Sequence, residues 1–175
     1  LGQTHSDVEV VVVDDGSTDR SVEVLKSFGD RIVLETGPNR GACIARNRAF
    51  ELSSGEVIQF LDADDKLDSA KVAKQLQVMV SKQVDIVLCK IGLFGDERRE
   101  RPEKRLHPTP TGDPMRYFLD FPIQTAAALM HRQWVERSGG FLPALRRGQE
   151  ADFHLRVAAL NPRLAMVDEI LVWVR

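Results

Sequence analysis

Three carboxylates stand within four positions where an apolar run stops: Val57-Ile58-Gln59-Phe60-Leu61 gives way to Asp62-Ala63-Asp64-Asp65. Like charges this close repel, and the arrangement persists only where a cation or hydrogen-bond donors offset the cost. A hard divalent ion, held by one or two carboxylates and the oxygens of a diphosphate, suits such a donor set. Solvated charges at a turn are the plain alternative. A calcium-binding EF-hand loop opening at Asp62 needs Gly at its sixth place and Glu at its twelfth. Leu67 and Ala73 stand there. A phosphatase that forms an aspartyl-phosphate also sets Asp-x-Asp after an apolar strand, with Thr or Val two places past the second Asp. Lys66 occupies that place.

Two further acidic groups sit where elements change. Val8 to Val13 ends in Asp14-Asp15-Gly16-Ser17-Thr18-Asp19. Turn and cap chemistry accounts for Asp19 well and for two adjacent strand-end carboxylates poorly. Glu150 and Asp152 follow Gly148-Gln149 at the start of a late helix, where negative charge suits the helix dipole.

The elements that must position these groups follow from periodicity. Val8–Val13, Arg31–Glu35, the run ending at Leu61 and Asp85–Cys89 read as strands. Between them the pattern predicts helices from the Ser17–Asp19 cap to about Phe28, from Ala42 to Leu52, and from Ser69 to Val80. The last turns Val72, Leu76, Met79 and Val80 inward. Alternating strands and helices predict an α/β fold with a mostly parallel central sheet and helices on both faces. Gly95 to Gly112 reads as a long loop holding the charge run Arg98–Arg105. Beyond it, Asp113-Pro114 opens a short helix to about Asp120. Thr125–Met130 reads as a strand, Arg132–Ser138 as a helix ended by Gly139-Gly140, and Gly148–Leu160 as a helix stopped at Asn161-Pro162. Leu164–Val167 and Ile170–Val174 read as closing strands.

At 175 residues, 43% hydrophobic and 29% charged, the chain suits one globular core. A net charge of -2 gives no sequence-wide attraction to nucleic acid or to an anionic membrane. Cys43 and Cys89 lie in apolar segments without metal-ligand spacing, which reads as buried small hydrophobes in a reduced, cytoplasmic setting. No apolar run reaches the length of a membrane span, and Leu1 to Ser6 carry no signal-peptide pattern. A start at Leu1 without an initiator Met reads as a piece of something longer.

Val-Val-Asp-Asp-Gly-Ser-Thr-Asp at 12–19, Asn39-Arg40-Gly41 with Ala45-Arg46-Asn47, Gly55 to Asp65, and Gly139-Gly140-Phe141 through Gly148 to Arg156 together resemble the family 2 glycosyltransferases of GT-A fold. The resemblance spans nearly the whole chain. It implies inverting, metal-dependent transfer of a sugar from a nucleoside diphosphate sugar, a UDP-sugar first among them, to the hydroxyl of a carbohydrate or lipid-linked acceptor. Polysaccharide or glycolipid assembly in the cytoplasm, or peripherally at the inner face of the cell membrane, would be the setting. Residue by residue, it sets Asp15 at the base or ribose, Asp62 toward the ribose, and Asp64 on a Mn²⁺ or Mg²⁺ ion bridging the diphosphate. Asp65 orders the loop. Many members carry Glu-Asp where this chain has Gln149-Glu150, so Glu150 takes the place of the catalytic base, with Asp152 as alternate. Gln149 and Arg156 support the helix or the phosphates, Arg46 and Asn47 could meet a phosphate or ribose, and His154 is a packed residue.

By the same resemblance the whole chain is one domain, with a nucleotide-binding half at 1–90 and an acceptor-side half at 91–175. It is truncated at its N-terminus, because members begin with another strand, a Pro-x-Tyr-Asn-like turn and a helix. A non-catalytic nucleotide-binding or partner-binding fragment of such a domain is therefore the second reading. A nucleotidyltransferase, the third, would show a basic Gly-rich loop in the region that precedes Leu1.

Overall fold

In the computed structural model, which describes residues 1–94, the backbone of 104–105, and 108–175, the strands fall into two sheets. In the first, β1 (Val11–Asp15) pairs in parallel with β2 (Val33–Gly37). Helix α1 (Ser21–Lys26) joins them and buries no residue fully. Helix α2 (Ala42–Leu52) follows and packs on β1. Its bounds are those the sequence predicts, and β2 begins two residues later than expected.

The second sheet runs in the order β3 (Val57–Ile58), β7 (Leu129–His131), β5 (Ile86–Leu93), β8 (Leu164–Val174), β4 (Lys66–Leu67), with β6 (Lys104–Arg105) also on β5. Helices α3 (Lys71–Lys82), α4 (Pro114–Asp120), α5 (Arg132–Ser138) and α6 (Gln149–Ala158) complete the fold. The α/β class is as expected. Strand sense is not mostly parallel: two of the six ladders among the described residues, β1 with β2 and β5 with β8, are parallel. The reason lies in β7. Both β3 and β5 run antiparallel to it, so they share one direction, as strand-helix alternation requires, but β7 separates them. Among the described residues β1 pairs only with β2 and β3 only with β7.

Local chemistry explains most of the remaining boundaries. The Asp113 side chain accepts the Met115 N–H at 3.0 Å and Pro114 takes the first helical position, so α4 starts where the sequence places it. Gly139, at φ 77°, ends α5 in a left-handed cap. The expected strand 125–130 opens instead with a 3₁₀ turn, Thr125–Ala127, and only its end pairs. The two closing strands are one, irregular opposite Cys89–Ile91. The expected loop from Gly95 to Gly112, with its charge run, lies mostly outside the described residues, although Lys104–Arg105 form β6.

Three aromatic rings join the segments that carry acidic groups. Phe60 meets Phe141 edge-on at 5.1 Å and Phe153 at 6.1 Å, while Phe141 and Phe153 stack at 4.4 Å. All three are buried. Phe60 lies two residues before Asp62, Phe141 follows α5, and Phe153 sits on α6 three residues past Glu150. Each ring pair adds about 0.5–1.5 kcal/mol beyond area burial. Phe153, fully shielded, is therefore a sensitive test of the core: Phe153→Ala is expected to cost about 3–5 kcal/mol. Denaturant unfolding checks this, with a fall in midpoint at an unchanged slope.

Candidate active site

Arg46, on the second turn of α2, reaches the tip of the strand that carries the acidic cluster. Its guanidinium donates to both oxygens of Asp62, at 2.6 and 2.9 Å from Nη2, and through Nε at 3.2 Å. Through Nη1 it donates to Gln149 Oε1 at 3.1 Å, and Nη2 lies 3.8 Å from Glu150 Oε1. One cation thus ties the acidic tip to the first turn of α6. The Arg46 side chain is 15% exposed and sits 5.2 Å over the Phe141 ring, in the aromatic cluster described above. Its planar fork suits a bidentate carboxylate better than an ammonium would.

Glu150 is 27% exposed at its side chain. Burial raises its carboxyl above the ordinary glutamate range, Asp62 raises it further, and Arg46 pulls it back in part. The Thr125 hydroxyl, buried without a partner of good geometry, is close enough to favour the charged form as well. Glu150 lines a cavity of about 350 Å³ together with Arg46, Gln124 and Gln149. Asp152, the alternate base, is tied to Arg156 at 2.7 Å. Arg156 also donates to the Ser138 carbonyl, which fastens α6 to α5. His154 is 2% exposed and stacks on Phe118 at 5.3 Å, packed as expected.

Around the first sheet, Asp15 accepts the N–H groups of Arg40 at 2.7 Å and Gly41 at 2.8 Å, holding the loop ahead of α2. It lines a second cavity of about 240 Å³ with Thr36, Pro38 and Arg48. Buried Asp14 accepts the Ser17 N–H at 3.2 Å. The turn that follows needs glycine: Gly16 has φ 83°, and a Cβ there would lie 2.6 Å from Asn39 N. Asn47 lines neither of these cavities. It exchanges hydrogen bonds with the Phe141 backbone at 2.7 and 2.8 Å, against Gly140, where a Cβ would fall 2.7 Å from Asn47 Oδ1.

Comparison with known proteins shows the family. The profile described as glycosyl transferase family 2 matches residues 1–139. The chain belongs to glycosyl transferase family 2. Among its relatives, an uncharacterized glycosyltransferase of Haemophilus influenzae is 38% identical over 88 residues, which are 48% of this chain and 35% of that protein. The Escherichia coli enzyme WfaP is named UDP-Glc:alpha-D-GlcNAc-diphosphoundecaprenol beta-1,3-glucosyltransferase; it is 33% identical over 86 residues, 48% of this chain and 34% of that protein. The matches thus span about a third of these relatives. Staphylococcus aureus TarS 1-349 in complex with UDP superimposes with a TM-score of 0.81 at 20% identity, over 99% of this chain and 53% of that one. The fold is that of TarS, of GT-A type.

For a family 2 chain the acidic tip is the place to ask about a metal. Among the described residues no three His, Cys, Asp or Glu side chains converge on one point. A metal that takes most of its ligands from a diphosphate and water needs no such cage. Asp64 fits that mode: it is exposed, it has no hydrogen-bond partner among the described residues, and its ligand atoms are hard oxygens. Asp65 differs. Burial raises its carboxyl, which accepts the Arg175 N–H at 3.2 Å, so it orders the loop.

A supporting network lies where sequence periodicity pointed only to packing. Lys71 and Gln75 on α3 are 0% exposed, while Val80, expected inward, is 76% exposed. The inward stripe runs through Lys71, Val72, Gln75 and Met79. Lys71 Nζ donates to the amide oxygens of Gln59 and Gln75, which fixes which way each amide points. Gln59 then donates to the carbonyls of Phe60 and Ala126, and Gln75 to those of Val87 and Ala127. The strand leading to Asp62 and the turn that presents Thr125 to Glu150 are held by one buried ammonium, whose pKa burial lowers to about 8. The i,i+4 spacing of Lys71 and Gln75 on an otherwise apolar face was the available signal.

Because Arg46 is the cation that offsets Glu150, Arg46→Met is expected to raise the Glu150 titration midpoint further. Carboxyl ¹³C NMR against pH checks this, and an unmoved midpoint would show the two groups uncoupled.

Proposed function

We propose that this chain carries the donor-binding and catalytic part of an inverting, metal-dependent glycosyltransferase that moves a sugar from a nucleoside diphosphate sugar to an acceptor hydroxyl. One observation carries the reading: Arg46 joins Asp62 of the acidic tip to Gln149 and Glu150, so the donor-side carboxylates and a partly buried base face one place. Membership of glycosyl transferase family 2 and the likeness of fold to TarS agree with it.

In this mechanism Asp15 and the cavity beside β2 take the base or ribose. Asp62, oriented by Arg46, meets the ribose side. Asp64 would hold a Mn²⁺ or Mg²⁺ ion, which would supply positive charge at the departing diphosphate. Glu150 accepts the proton of the acceptor hydroxyl, whose oxygen attacks the anomeric carbon from the face opposite the diphosphate. The new oxygen–carbon bond forms as the old one breaks, the bonding pair leaves with the diphosphate, and the centre inverts. Thr125 favours the charged form of Glu150 before the proton moves.

The WfaP name specifies UDP-Glc and a diphosphoundecaprenol-linked sugar. By analogy a UDP-sugar donor and a lipid-linked or other carbohydrate acceptor, in cell-surface polysaccharide or glycolipid assembly, are the substrates proposed here. Such an acceptor would place the protein in the cytoplasm against the inner face of the membrane. No helix of the described residues is long and apolar enough to cross it.

Calorimetric titration with UDP-, GDP- and dTDP-sugars, with and without Mn²⁺, is expected to show metal-dependent binding that Asp64→Ala removes. Binding indifferent both to the metal and to that substitution would reject the metal role. Glu150→Gln is expected to keep donor affinity and to lower kcat about 10²–10⁴-fold, the usual worth of a general base. Only ionised Glu150 accepts a proton and burial raises its pKa, so the wild-type rate should fall with decreasing pH at a higher value than an exposed glutamate would give. A pH–rate profile without that acid limb would place the base elsewhere.

A further inference from the structure

The 350 Å³ cavity at the start of α6 has more positive charge than its carboxylate uses. Arg46, Arg146 and Arg147 all line it, and among the described residues Glu150 is its one acidic lining residue. Arg46 is committed to Asp62 and Gln149. Arg146 and Arg147 are exposed and have no ion-pair or hydrogen-bond partner among the described residues. Two arginines without a partner among the described residues therefore line the same cavity as Glu150. An uncharged sugar would leave both unused, whereas a phosphate offers each a bidentate acceptor.

The carboxylates proposed above for the donor side lie outside the lining of this cavity. Asp62, Asp64 and Asp65 do not line it, and Arg46 stands between the acidic tip and the turn that carries Arg146 and Arg147. We propose that this cavity is the acceptor subsite and that the acceptor carries a phosphate ester, held by Arg146 and Arg147 while its hydroxyl meets Glu150. The assignment rests on the transferase reading above and adds to it the chemical class of the acceptor. The α6 amides reinforce the same charge: Gly148 to Ala151 line the cavity and no side chain caps this helix. A diphosphate lipid and a sugar phosphate share this chemistry, and two probes distinguish them.

The test measures binding of geranyl diphosphate and of glucose 1-phosphate by calorimetry, with the donor place empty and then filled with UDP and Mn²⁺. At least one probe is expected to bind alongside UDP, and the Arg146→Ala/Arg147→Ala double variant to weaken it about tenfold or more, the worth of one charge-assisted hydrogen bond. UDP affinity should stay unchanged. Preference for geranyl diphosphate identifies a lipid-linked acceptor, and preference for glucose 1-phosphate a soluble or polymeric phosphosugar. Both arginines are exposed, so the variant should keep its unfolding midpoint, which circular dichroism checks. Displacement of the probes by UDP, loss of UDP affinity in the variant, or binding of neither probe would overturn the assignment. Failure of UDP itself to bind, with probe binding intact and dependent on the arginines, would count instead against the transferase reading.

Discussion

The contact on which the site depends is the fork of Arg46 on Asp62. Without a cation between them, the strand tip and the first turn of α6 would present carboxylates to each other across a partly buried gap. With Arg46 in place, both oxygens of Asp62 accept from it, in three contacts, and Glu150 lies within 4 Å of the same guanidinium. Asp62 is 38% exposed, so the pair adds no more than about 1 kcal/mol to stability. Its worth is positional. It sets the spacing of two acidic groups that the proposed chemistry needs near one another and on different substrates.

Beneath that contact the fold is rigid for reasons that can be named. Phe60, Phe141 and Phe153 come from three segments, and Phe60 and Phe153 lie two and three residues from Asp62 and Glu150. Their packing couples the acidic tip, the turn after α5 and the start of α6. Below the strand, Lys71 fixes two glutamine amides, which in turn hold backbone carbonyls of the strand and of the turn at Ala126 and Ala127. A fully buried lysine without a carboxylate partner among the described residues is costly to keep charged, and burial lowers its pKa accordingly. The amide oxygens offset part of it.

Asp15 takes a different position. Both of its oxygens receive backbone N–H groups, so it shapes the loop ahead of α2 while lining the cavity beside β2. Asp152 and Arg156 likewise satisfy each other and brace α6, which leaves Glu150 as the carboxylate of that helix facing the cavity. On α6, hydrogen-bond partners, not residue type, tell the ion-paired Asp152 from the cavity-lining Glu150.

Much of this was legible in the residues. Strand-helix alternation, the Asp113-Pro114 start of α4, the Gly139 stop of α5 and the acidic ends of two apolar runs are local signals, because caps, turns and periodicity act over a few positions. The order and spacing of four motifs pointed to the family that the comparisons then showed. Tertiary structure alone decided the rest. The insertion of β7 between β3 and β5 turned two expected parallel neighbours into antiparallel ladders, and strand order is set by long-range packing that no window of sequence contains. Arg46 and Asp62 are 16 positions apart and Arg46 and Gln149 103, so only the folded chain could show that one guanidinium joins them. Burial of Lys71 and Gln75 in place of Val80 has the same cause: a helix's pattern gives a stripe, but what the stripe meets depends on the amides and carbonyls that other elements bring to it.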